Sequence, residues 1–376
     1  MLETANYFKE KGFNTYVAVP NPDLDEEKTK FVQKSKSRVS FYSLTRPHRP
    51  LTFAGTVGYG IRTIRSIFNL VRFIRRNGIN IVHVNEFFDL PGLIAGKLGG
   101  AKTICHTRVI IEEPFWLKRI LLALVVRFAD QIICVSKAVR ERMFSGGDPN
   151  GDANSKKIEM IYNPGPDRRR FDPEKYSSNL KREKLGVPQN DFVVGLVSKF
   201  TENKGQINLV KAAKLVKKKG IKNITYLLVG GKVSGHEDYY EKVFNLVQEE
   251  GLGEEIKFLG YRNDIPEIIN ICDMMVHIPI HHDPFPGVVL EAMAMKKPTV
   301  GTDSGGIPEE FEDGKSGILI PRNDPHSLAE VILDLYKNEQ KREKLGKEAR
   351  KYLDRNLSWE KYISQLELLY ENLTNN

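Results

Sequence analysis

Residues 192–231 read FVVGLVSKFTENKGQINLVKAAKLVKKKGIKNITYLLVGG. The first seven, FVVGLVS (192–198), form a short β-branched run with almost no polar break, the pattern of a strand buried on both faces. A polar loop follows, and a helix begins at about Gln206. ITYLLVGG is then a second strand of the same buried kind. Strand, crossover helix and strand in this order make a parallel pair. The alternation continues through helix 237–250, strand IKFLG, helix 264–271, strand MMVHIPI, helix 287–295 and strand PTVGT.

Toward the N-terminus the same rhythm returns. TYVAVP (15–20) and RVSFYSL (38–44) read as strands, with a charged loop between them. Residues 60–77 carry Ile61, Ile64, Ile67, Phe68, Val71 and Ile74 at helical spacing among five arginines, and Asn77-Gly78 stops the helix. INIVHVN (79–85), KTICHT (102–107), QIICVS (131–136) and IEMIYN are strands. LPGLIAGKLGG and residues 116–129 are helices, and Ser136 caps one that runs to Met143. Residues 145–157 read as a polar loop, and the Pro-, Arg- and Asp-rich stretch from Asn163 to about Asn190 as a linker. The expected architecture is α/β: two doubly wound parallel-sheet halves facing a cleft, with ligand at the carboxyl ends of the strands. The domains are expected at 1–170, with a C-terminal helix of about 358–376 packing back onto it, and at 171–357.

Composition narrows the class. A chain of 376 residues, 40% apolar and 28% charged, is an ordinary globular one with room for two domains of ~100–200 residues each. Cys105, Cys134 and Cys272 are scattered, with no C-x-x-C, and read as buried thiols in a reducing compartment. The longest apolar run, Ile120 to Val126, falls far short of the ~20 residues of a bilayer span, so a cytoplasmic protein is expected. The net charge of +9 is uneven: residues 1–185 carry +13 and the remainder −4. A basic first half implies an anionic partner. Helix 60–77 and PFWLKRILLALVVRF (114–128) either touch the inner face of a membrane peripherally or pack against the sheet. A nucleic-acid binder is disfavoured, because no RNA- or DNA-binding motif accompanies the charge.

The densest chemistry lies in residues 281–317, HHDPFPGVVLEAMAMKKPTVGTDSGGIPEEFEDGKSG. Pro286-Gly287 opens an apolar helix whose first amides, near Val288 and Val289, make an anion site. Asp283 precedes the turn and Glu291 lies one turn into the helix, so a loop carboxylate and a helix carboxylate can flank one ligand and hold sugar or ribose hydroxyls, or else Glu291 is a surface helix residue. In the strand-to-helix loop SKFTENKGQ, Lys199 and Lys204 either converge on phosphate oxygens or are simply solvated. Asp23-Leu24-Asp25 reads as a solvated acidic loop, with a metal site as the alternative.

These stretches, in this order, resemble the retaining glycosyltransferases of family 4, the group-1 glycosyl transferases of GT-B fold. The matching pieces are S-K-F-x3-K-G, LLVGG, FLGYRNDIPEIINICD, the D-x7-E of 283–291, EAMAMKKPTV, GGIPEEFEDGKSGILI and LSWEKYISQLELLY, with looser matches at INIVHVN, His106, RFADQIICVSKAV and IEMIYNPGPDRRRF. The resemblance implies a metal-independent, hexosyl-transferring enzyme without cofactor. It would move a sugar from a UDP- or GDP-sugar to a sugar or lipid-linked acceptor in cell-surface polysaccharide or glycolipid assembly. It implies that Lys204 and Lys199 meet the diphosphate, Glu291 the ribose and Asp283 the sugar hydroxyls. Gly287, Val288 and Val289 would cradle phosphate and the Tyr261-Arg262 loop would pass the base. His106 would meet the transferred sugar, or else be a hydrogen-bonded strand-end histidine; Arg108 would meet an acceptor phosphate, or else serve the surface. Catalysis would rest on His106, Lys204, Asp283 and Glu291.

Three departures accompany the resemblance. Lys199 stands where an arginine is usual and loses the planar fork. Asp283 stands where a glutamate is usual. Met1 opens directly into the first helix, ETANYFKEKGFN, so the first strand and its glycine-rich loop are expected to be missing. Either the start lies upstream or the chain is a truncated, inactive relative that binds sugar nucleotides without transfer.

Overall fold

The computed structural model describes residues 2–20, 35–36, 38–42, 53–112, 114–144 and 157–375. Asp23-Leu24-Asp25, the end of RVSFYSL and nearly all of the 145–157 loop lie outside the described residues. The chain divides into two compact units. The first is Met1–Cys134 with Arg140–Met160 and Ile363–Asn376; the second is Val135–Val139 with Ile161–Tyr362. The division thus falls at 160/161 and not at the expected 170/171. The reason is local: Gly165 N–H donates to the Leu357 carbonyl at 2.7 Å, Arg168 pairs with Asp354, and Phe171 is buried. The stretch read as a linker is folded into the second unit.

The first unit runs α1 (Leu2–Glu10), β1 (Tyr16–Pro20), β2 (Arg38–Tyr42), α2 (Phe53–Arg76), β3 (Ile81–Val84), α3 (Leu90–Gly99), β4 (Lys102–Thr107), α4 (Phe115–Phe128), β5 (Gln131–Cys134), α5 (Lys137–Phe144), which begins in the second unit, and β6 (Ile158–Met160). All pairings are parallel, in a two-stranded sheet β1-β2 and a four-stranded sheet β3-β4-β5-β6. α2 starts at Phe53, earlier than the sequence reading of about residue 60, across FAGTVGYG, whose three glycines, Thr56 and Val57 are weak helix formers. Its Ile67, Leu70, Val71 and Ile74 pack with Ala95 and Ala101 around α3. Ile61, Ile64 and Phe68 remain exposed. Ser136 caps α5 as its sequence predicts, its Oγ accepting from Val139 N–H at 3.1 Å.

The second unit runs α6 (Ser178–Lys184), β7 (Phe192–Val197), α7 (Gln206–Lys218), β8 (Ile224–Val229), α8 (Glu237–Glu249), β9 (Ile256–Gly260), α9 (Ile265–Ile271), β10 (Met274–His277), α10 (Gly287–Ala294), β11 (Thr299–Thr302), β12 (Ile318–Ile320), α11 (Pro325–Lys337), α12 (Glu339–Asn356) and α13 (Trp359–Thr374). From Ile363 onward α13 belongs to the first unit, where Tyr7 Oη donates to Glu367 at 2.9 Å and Phe8 packs on Tyr370. The six strands are parallel in the order β12-β11-β10-β7-β8-β9. The strand order therefore reverses between β7 and β10, and at such a switch point the loops leaving the two strands diverge and open a crevice. Val194, Leu196, Leu228, Met274 and Val276 form the apolar core there. All three cysteines are buried and unbridged, and burial pushes their thiols up to about 12.

Candidate active site

Two loops leave the carboxyl ends of β7 and β10 at the reversal of strand order in the second unit. The first carries Lys199 and Lys204. It closes with a 3-10 turn, Glu202–Lys204, and Gly205 at φ +80°. A Cβ on Gly205 would lie 2.1 Å from the Ile278 carbonyl oxygen, so both the left-handed backbone and the close approach demand glycine. Gln206 is fully buried and clamps the loop, donating to Ser198 Oγ at 3.0 Å and to the Lys199 carbonyl at 2.9 Å. The two loops are stitched by Ile280 N–H donating to the Asn203 carbonyl at 2.9 Å.

The second loop brings Asp283 to the first. Lys204 Nζ donates to Asp283 Oδ2 at 2.7 Å, and His277 Nε2 lies 3.1 Å from the same oxygen. Burial alone would raise the Asp283 carboxyl, but His277 and then Lys204 outweigh it and hold it well below the usual range. The Asp283 backbone is held as well, its carbonyl accepting from Gly306 N–H at 2.8 Å. Beyond it Pro286 starts α10. Val289 N–H donates back to the Pro286 carbonyl, which leaves Gly287 and Val288 as the helix-start amides without a helical acceptor. Gly287 is exposed and nothing lies within 4 Å of the place its Cβ would take. Glu291, in the same helix, is pushed up to about 7 by burial, against the pull of Arg170.

The structure thus brings Lys204, Asp283 and the start of α10 together. Lys199 sits exposed in the same loop as Lys204. Arg262 is differently engaged: its guanidinium donates to Asp264 at 2.9 and 2.6 Å, and Lys181 bonds the same carboxylate. Tyr261 beside it is exposed. In the first unit His106 is fully buried at the end of β4, with Arg108 half-buried two residues on.

Four residues that hold or border this arrangement were given no role by the sequence reading. His277 was visible only as one polar residue in an apolar strand. Gln206 looks like an ordinary helix start. Glu309 accepts from Lys137 N–H at 2.7 Å, Ala138 N–H at 2.8 Å and Tyr162 Oη at 3.0 Å, so it caps the start of α5. Glu310 is fully buried with neither carboxylate oxygen bonded among the described residues; burial, then the charges of Asp283 and Glu309, push its carboxyl well above the usual range.

Comparison with known proteins gives the family and the fold. Residues 177–352 match the family described as "Glycosyl transferases group 1", and residues 1–165 match "Glycosyltransferase Family 4". An uncharacterised glycosyltransferase of Methanocaldococcus jannaschii is 28% identical over 311 residues, spanning 80% of this chain and 78% of that protein. A D-inositol 3-phosphate glycosyltransferase of Corynebacterium urealyticum is 30% identical over 324 residues, 81% of this chain and 74% of that protein. Among solved structures, Anabaena HepE in complex with UDP and glucose superposes with a TM-score of 0.81 at 23% identity, over 98% of this chain and 94% of that one. The two parallel-sheet units have the GT-B architecture, and the chain belongs to the family-4, group-1 glycosyltransferases.

Proposed function

We propose that the chain is a retaining, metal-independent glycosyltransferase that takes its sugar from a UDP- or GDP-sugar. The observation that carries this reading is the meeting of Lys204, Asp283 and the α10 start where the strand order reverses. A nucleoside diphosphate fits the chemistry of that place: Lys204 and Lys199 pair with the diphosphate and the Gly287 and Val288 amides cradle it. Glu291 accepts from the ribose hydroxyls and Asp283 from the sugar hydroxyls. As the sugar–phosphate bond breaks, charge grows on the departing diphosphate. Fixed ammonium groups and helix-start amides stabilise that charge without reorganising. In this reading they supply what a divalent cation would otherwise supply, and the acceptor hydroxyl attacks on the face the phosphate leaves. His106 faces a hydroxyl of a sugar substrate and Arg108 an anionic group of the acceptor.

The acceptor is proposed to be presented at a membrane surface, as in glycolipid or cell-surface polysaccharide assembly. Support comes from α2 and α4. Ile61, Ile64 and Phe68 share the exposed side of α2 with Arg65 and Arg72, and Phe115, Trp116 and Ile120 are exposed on α4 beside Arg119. Among the described residues no helix is long and apolar enough to cross a membrane, and the proposed contact is a peripheral one. The direct test is thermal unfolding with UDP, GDP and their sugar conjugates in EDTA, with Lys204→Ala alongside. One nucleotide series should raise the Tm, and the shift should vanish in the variant. A cooperative melt that no nucleotide moves would sink the reading.

A further inference from the structure

We propose that His83 and Tyr370 are positioning residues that fix which ring nitrogen of His106 carries its proton, so that His106 meets a substrate oxygen as a hydrogen-bond donor through Nε2. The proposal deepens the reading of His106 given above and rests on it.

All three side chains belong to the first unit. In the β3–β4 register His83 lies opposite Ile104, so His106, two residues on, projects from the same sheet face. The two imidazoles stack with centroids 5.4 Å apart and planes 26° apart. His83 Nε2 lies 3.3 Å from His106 Nδ1, and His83 Nδ1 lies 2.6 Å from Tyr370 Oη. The far nitrogen of His106, Nε2, is buried with no partner among the described residues.

The direction of these bonds follows from distance and charge state. Burial, then the charge of Arg108, lowers both histidines, His83 to about 3, so both rings are neutral in ordinary buffer. A neutral imidazole has one donor and one acceptor nitrogen. The 2.6 Å contact is in the range of an O–H donor and shorter than N–H donors typically reach, so the Tyr370 phenol donates to His83 Nδ1. The His83 proton is then on Nε2 and is donated to His106 Nδ1. His106 is left with its proton on Nε2, the buried nitrogen without a partner. Buried polar groups are nearly always bonded, so this donor awaits an oxygen lone pair, as a sugar hydroxyl or a phosphate offers.

The test reads the tautomer directly. Long-range proton–nitrogen NMR of the full chain labelled with 15N-histidine, without nucleotide or acceptor, should show His106 protonated at Nε2 and bare at Nδ1, assigned by loss of the signal in His106→Gln. Tyr370→Phe should release the order, giving a mixture of tautomers at His106. In transfer assays it should lower kcat roughly tenfold or more with the nucleotide KM unchanged. A His106 protonated at Nδ1 in the parent chain would overturn the proposal, and so would a tautomer untouched in Tyr370→Phe. His83→Leu gives the second variant, and the parent spectrum decides even if both variants misfold. Because the spectrum needs no substrate, failure of the transferase reading would leave this result standing, and a merely structural role for Tyr370 would lower Tm without moving the tautomer.

Discussion

In the proposed reading, Glu291 couples stability to binding through one carboxyl. Its folded-state value is about 7 against an ordinary 4.5. A raised acid stabilises the fold fully below the lower value and loses that contribution as pH rises through the upper one. Glu291→Gln lacks this loss. From pH 4.5 to above 7 the parent should therefore fall relative to the variant by on the order of 3 kcal/mol, read as the difference in Tm across a pH series. The same substitution should weaken nucleotide binding most at high pH, where the parent carboxylate is ionised and accepts from two hydroxyls. Asp283 has the opposite character, being held ionised by His277 and Lys204. Asp283→Asn releases Lys204 from its anion, so calorimetry should show free nucleoside diphosphate binding more tightly while transfer falls by about a hundredfold; weaker binding of the diphosphate would contradict the assignment of Lys204. Lys204 and Asp283, which the structure pairs, were singled out in the sequence as charged residues beside a glycine turn and an apolar helix, but that they meet was not legible, because they stand 79 positions apart. Nor was the His83–Tyr370 contact, because it joins positions 287 apart and no local pattern encodes it.

At the scale of elements, β7, β8, β10 and β11 were easy to read because they are buried along nearly their whole length and appear as short, largely apolar runs, whereas the half-buried edge strand β12 was not read. α2 was harder: its first two turns hold Gly55, Thr56, Val57, Gly58 and Gly60, weak helix formers, so the sequence reading began the helix only at about residue 60. The loop between β7 and α7 is tightly set by its backbone. Gly205→Ala would place a methyl 2.1 Å from the Ile278 carbonyl at a φ of +80°. We expect a loss of about 2 kcal/mol or more in denaturant unfolding, together with loss of the nucleotide-induced shift in Tm. A variant that melts like the parent and still responds to nucleotide would show that the loop tolerates another path. Ser136 follows a simpler logic, since a hydroxyl before an apolar helix is a cap signal and the cap is formed.

At the scale of the molecule, the reversal of strand order in the second unit could be anticipated from the alternation of strand and helix, which limits the topologies a parallel sheet can adopt. The uneven charge was equally visible and leads to a test of the proposed surface contact. The full chain should sediment with anionic vesicles and not with neutral ones, and the bound fraction should fall as salt rises. Phe68→Glu, on the exposed side of α2, should reduce binding several-fold without changing the response to nucleotide; equal binding to both kinds of vesicle would remove the membrane from the account. The interleaving of the two units has a practical side. Val135–Val139 is counted with the second unit although it lies between segments of the first. Ser136 Oγ donates from it to the Pro284 carbonyl at 2.8 Å, one residue from Asp283, and Lys137 and Ala138 donate to Glu309. A chimera joined to a relative at 160/161 would leave these donors to a foreign sequence. Moving the second unit intact between relatives therefore requires grafting two separate pieces of chain, the long one and this five-residue one.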